Sequence, residues 1–97
     1  MLNRINILKI LKQFRQNTKS QFGIREIGIF GSIARDNPGI NNDVDIVLKL
    51  DKQDLFNLIG IQQDLEEVLH SKVDVVSYRE NMNTFLKKRI DEEAIYV

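Results

Sequence analysis

The feature that most limits the folds open to this chain is a short apolar run that stops at Gly-Ser and resumes, after a turn-rich stretch, as an alternating acidic and apolar run. The first run, Glu26-Ile27-Gly28-Ile29-Phe30, reads as a buried strand within Ile24 to Phe30. Gly31-Ser32 ends it, and a glycine there lets backbone approach an anion closely. The second run, Asp43-Val44-Asp45-Ile46-Val47-Leu48, predicts a strand from Asp43 to Lys49. Successive side chains of a strand alternate in direction, so Asp43 and Asp45 share one face while Val44, Ile46 and Leu48 share the other. Two carboxylates on one face repel each other. A divalent cation keeps such a pair ionised and close, and hard oxygen donors beside a phosphate-binding turn point to magnesium. Between the runs, Asn37-Pro38-Gly39 reads as a loop, because Pro38 disfavours helix at Asn37 and Gly39 supplies turn freedom.

Longer amphipathic stretches surround this centre. Leu2 to Ser20 predicts a helix with an apolar stripe of Ile5, Leu8, Leu11 and Phe14 or neighbouring Ile7, stopped at Gly23. Ser32 is placed to cap a short helix beginning near Ile33, whose unpaired amides would face whatever binds beside Gly31. Arg35, one turn along, is placed to meet phosphate oxygens, Asp36 or solvent. A second long helix opens at Asp51 or Lys52, with Leu55, Leu58, Ile59, Leu65, Val68 and Leu69 inward and Asp51 and Asp54 at its positive end. His70, the only histidine, reads as a surface side chain near that helix's negative end.

Val73-Asp74-Val75-Val76 predicts a further strand. Asp74 joins the acidic pair if this strand lies beside the Asp43 strand, and points to water if it lies at an edge; spacing alone does not separate the two. Asn81 is placed to cap a last helix from about Met82, with Phe85, Leu86, Ile90 and Ala94 inward, and Ile95-Tyr96-Val97 can add a terminal strand. This order predicts an α/β or α+β domain with helices packed on a small sheet. The crossover helix favours parallel Asp43 and Asp74 strands.

At 97 residues the chain is expected to form one domain, 1–97, too small to add a separate substrate-recognition domain. A second substrate is then expected on an open surface. With 14 basic and 14 acidic side chains, no global field draws the chain to nucleic acid or an anionic membrane, so neither partner is expected. The lack of cysteine removes disulfides, thiolate zinc sites and thiol nucleophiles, and fits a cytoplasmic protein. Arg4, Lys9, Lys12 and Arg15 interrupt the apolar N-terminal residues, so neither a signal peptide nor a membrane span is expected.

A phosphate cradle beside two or three carboxylates is equipment for phosphoryl or nucleotidyl transfer, with metal bridging carboxylates and triphosphate. In that reading Asp43 and Asp45 are permanent ligands, and Asp74 is a candidate general base. Gly31-Ser32, ten intervening residues, then Asp43-Val44-Asp45 resembles the signature of the DNA-polymerase-β-like nucleotidyltransferase superfamily. Chain length, Arg35, the helix after the Asp-x-Asp strand and the Val-Asp-Val strand resemble the minimal nucleotidyltransferases, the MNT proteins paired with HEPN-domain partners in prokaryotes. The resemblance implies a mixed-sheet nucleotidyltransferase fold, with Asp74 as counterpart of the family's third carboxylate and so a third metal ligand. It also implies magnesium-dependent use of ATP and, in HEPN-paired members, transfer of AMP to a tyrosine of a toxin partner for which the MNT protein is the antitoxin. Asn42 stands where many members carry Ser, and Asp36 where Gly is frequent. Two other readings remain open: nucleotidyl transfer to a small molecule such as an aminoglycoside, and a weakly active module that neutralises its partner by contact.

Overall fold

The computed structural model describes residues 3–34 and 43–97. Helix α1 (Arg4–Phe22) starts after Asn3, whose side chain accepts a hydrogen bond from the Asn6 amide at 2.9 Å. It stops at Gly23, which takes the left-handed φ of 66°. Strand β1 (Ile24–Phe30) has the expected bounds and runs directly into α2 (Gly31–Ala34), a single turn. That turn opens at Gly31 instead of Ile33, so Ser32 lies inside it and not in the capping position before it. Strand β2 (Val44–Leu50), helix α3 (Leu55–Leu69), strand β3 (Val73–Ser77), helix α4 (Thr84–Glu93) and the short β4 (Ile95–Tyr96) follow.

The sheet order is β3-β2-β1-β4. β1 is antiparallel to both β2 and β4, whereas β2 and β3, joined through α3, are parallel. The sheet is therefore mixed, as expected, and β3 is both a neighbour of β2 and an edge strand. The two alternatives left open for Asp74 are thus not exclusive.

One face of the sheet packs on α1 and α3. Ile27, Ile29, Val44, Ile46 and Leu48 are fully buried there against Ile7, Leu11, Ile61 and Leu65. Fully burying an aliphatic side chain contributes about 1.5–3 kcal/mol, so this cluster dominates the fold's stability. On the opposite face, Ile90 of α4 and Met82, two residues before that helix, pack on Phe30 and Val47.

Several expected helix faces are corrected. Ile5 is 66% exposed, and the stripe of α1 runs through Ile7 instead. In α3, Leu55, Ile59 and Val68 are exposed and Ile61 takes the buried position. Phe85 of α4 is 79% exposed. The caps also shift. Asp54, accepting from the Phe56 amide at 2.9 Å, opens α3, while Asp51 pairs with Arg25 at 3.5 Å on the surface. Asn83, accepting from the Leu86 amide at 3.0 Å, opens α4 in place of Asn81. His70 ends α3 in the left-handed conformation at φ 53° and is exposed. Among the described residues no helix is long and apolar enough to cross a membrane.

Candidate active site

The candidate site forms where β1 turns into α2 beside the first residues of β2 and β3. Along β2 the pleat sends Val44, Ile46 and Leu48 into the large apolar cluster. Asp45 leaves from the other face; Asp43, expected as the first residue of this strand, stands just before it, since β2 begins at Val44. In the parallel pairing Asp45 lies directly opposite Asp74. Their backbones are about 4.8 Å apart at such a register, and their side chains leave the sheet on the same face. Asp45 also lies opposite Phe30 of β1, which leads straight to Gly31. Asp43 and Asp45 are half-buried, whereas Asp74, on the edge strand, is exposed. The topology therefore brings the Gly-Ser turn, Asp45 and Asp74 to one end of one sheet face, with Asp43 in the residue before β2.

Gly31 is required there for two reasons. It takes φ 75°, a conformation costly for any residue with a Cβ. A Cβ would also collide with Oδ2 of Asp45, whose carboxylate lies over the Gly31 backbone. The Gly31 N–H donates to Oε1 of Glu93 at 3.1 Å, across the sheet face from the end of α4. Glu93 in turn lies 3.9 Å from Arg89, whose guanidinium stands 5.8 Å from the centre of the Phe30 ring. At the other end of α2, Arg4 donates to the Ala34 carbonyl at 3.1 Å. Arg4 reads from the sequence as a solvated surface charge, and Glu93 carries no signal there. Only the packing of α1 and α4 beside α2 shows that both hold the turn.

Arg35, Asp36, Asn42 and the Asn37-Pro38-Gly39 turn lie outside the described residues, as does the side chain of Ser32. Carboxylates are hard oxygen donors of the kind magnesium takes, so the donor set fits that ion in type. The side chains do not converge as the sequence reading expects: among the described residues no three acidic, histidine or cysteine side chains gather closely enough to hold a metal. Asp45 folds against Gly31, and like charges favour separation. A groove of about 490 Å³ bounded by Leu55, Leu58, Val76, Met82 and Leu86 lies beyond the other end of β3 and includes none of the three.

A family model described as polymerase beta, nucleotidyltransferase matches residues 9–97. The chain is similar to the protein adenylyltransferase MntA of Thermococcus cleftensis, with 32% identity over 98 residues that cover 100% of this chain and 98% of the relative. It is also similar to the solved complex of a tri-AMPylated Shewanella oneidensis HEPN toxin with MNT antitoxin. That match has a TM-score of 0.68 and 25% identity, and covers 98% of this chain and 71% of that one. A toxin-antitoxin structure with AMP-PNP matches at a TM-score of 0.73 and 27% identity, covering 94% of this chain and 71% of that one.

Proposed function

The chain belongs to the polymerase beta nucleotidyltransferase family and has its fold, and from that premise we propose that it transfers AMP from ATP to a tyrosine of a HEPN-domain toxin, acting as its antitoxin in the cytoplasm. The observation that carries the proposal is the in-register placement of Asp45 and Asp74 beside Gly31 at one end of the sheet. Similarity to an adenylyltransferase and to an AMPylated HEPN toxin complex supports the same reaction class. An exposed third carboxylate on an edge strand suits an acceptor as large as a protein.

In this reading Asp43, Asp45 and Asp74 hold magnesium, two ions in all. When bound, the metal supplies positive charge against the triphosphate and the departing pyrophosphate. The Gly31-Ser32 turn and Arg35 hold the phosphates. Asp74, the most exposed of the three, takes the proton from the tyrosine hydroxyl. The phenolic oxygen forms its bond to the α-phosphorus as the bond from that phosphorus to the bridging oxygen breaks, and pyrophosphate leaves with that electron pair.

The test is label transfer to a co-purified HEPN partner. α-Labelled ATP is expected to label a partner tyrosine, and γ-labelled ATP is not. Transfer from the γ position would mean kinase chemistry, and a tight complex without transfer would leave a module that neutralises by contact alone.

A further inference from the structure

We propose that Glu93 is a positioning residue for nucleotide binding, setting the Gly31-Ser32 turn against Asp45; the inference rests on the nucleotidyl-transfer reading above. Gly31 is buried, and an unpaired buried N–H is costly, so the acceptor that meets it decides where the turn sits. That acceptor is the Glu93 carboxylate at 3.1 Å, from a residue 62 positions along the chain. Its anchorage is firm. Glu93 is the last residue of α4, and after Ala94 the chain enters β4, where Ile95 pairs with Ile29 of β1. The carboxylate is therefore fixed to the same strand whose end it holds. On the other side of Gly31 stands the Asp45 carboxylate, so close that a Cβ has no room.

The turn is thus clamped between one carboxylate proposed to hold metal and one that takes an amide. A triphosphate touching both the turn and the cation on Asp45 requires that spacing to be kept. The role proposed for Glu93 is that of hydrogen-bond acceptor to Gly31, which an amide oxygen at the same reach would also fill. The pair with Arg89, at 3.9 Å and partly exposed, is a weak contact.

The test compares Glu93→Ala, Glu93→Gln and Glu93→Asp in the full chain with its partner. Three readouts are taken: KM and kcat for ATP in AMP transfer, Kd of the chain for magnesium-ATP by calorimetry, and hydrogen exchange of the Gly31 amide. Ala is expected to raise KM and Kd about tenfold with a smaller change in kcat, and to speed Gly31 exchange. Gln is expected to restore all three. Asp, one methylene short, is expected to resemble Ala and serves in its place if Ala does not fold. Folded Ala and Asp variants with KM and Kd within twofold of the parent would overturn the inference, as would a Gln variant as impaired as Ala. A parent chain that neither binds magnesium-ATP nor transfers AMP would instead overturn the nucleotidyl-transfer reading, and this inference with it.

Discussion

The two faces of the sheet are built on opposite terms. Toward α1 and α3, β1, β2 and β3 present Ile27, Ile29, Ile46, Leu48 and Val73 to one continuous apolar cluster. On the other face, β2 reads Asp45, Val47, Lys49, and the middle residue is fully buried in a cluster with Ile90 of α4. The two ends of this second face also differ. At one, Lys49 pairs with Glu26 at 3.2 Å and stands 5.0 and 4.9 Å from the ring centres of Tyr78 and Tyr96, so its charge is answered within the chain. At the other, Asp45 and Asp74 stand opposite each other on β2 and β3, with the Asp45 carboxylate against Gly31. Stability and chemistry are thereby separated across a single strand, with neighbouring residues of β2 serving each.

The separation is broken most severely at Asp45. Asp45→Asn keeps the side chain's shape and removes one charge from the acidic end. AMP transfer is expected to fall at least about a thousandfold, roughly 4 kcal/mol of transition-state stabilisation. Magnesium-ATP, which should raise the parent's melting temperature by binding only the folded state, is expected to lose most of that effect. A variant that kept the full ligand-dependent shift would remove Asp45 from the site.

The converse change lies on the closed face. Leu11 of α1 is fully buried in the large cluster, and Leu11→Ala is expected to cost about 3 kcal/mol in urea unfolding. The variant's Kd for magnesium-ATP, measured where it is still folded, should match the parent's. A weakened Kd would mean that the packing of α1 feeds into the site, with the Arg4 bond to Ala34 as the evident route.

Legibility in the sequence followed the same division. β1 could be read to its ends because apolar residues run between two glycines, and the face of Asp45, opposite to that of Val44 and Ile46, follows from alternation alone. That Asp74 stands opposite Asp45 depends on strand register, a long-range pairing that no local pattern encodes. The Glu93 bond to Gly31 is of the same kind. Helix faces were misjudged where apolar residues flank the packed strip. Leu55, Ile59 and Val68 fit the period of α3, but that helix buries Ile61, Leu65 and Leu69 and leaves its flanks exposed. The caps moved within short windows because Asp51 and Asp54, or Asn81 and Asn83, have equal local merit. Asp51 went instead to Arg25.

The smallest effect is expected at the self-complemented end. Burial raises the Tyr96 hydroxyl above the ordinary value of 10.0, with the negative charges of Glu26 and Asp91 acting in the same direction. The unfolded chain ionises this tyrosine at lower pH than the folded one. The stability it contributes is therefore fully present below about pH 10 and is lost as pH rises through the elevated folded value. Tyr96→Phe removes that titration, so chemical unfolding measured across the alkaline range should show a shallower decline than in the parent. The decline will not vanish, since Tyr78, raised by its hydrogen bond to Asp91, still titrates in the same direction. Identical slopes in parent and variant would mean that water reaches the Tyr96 hydroxyl freely, and that this end of the face is as open as the acidic one.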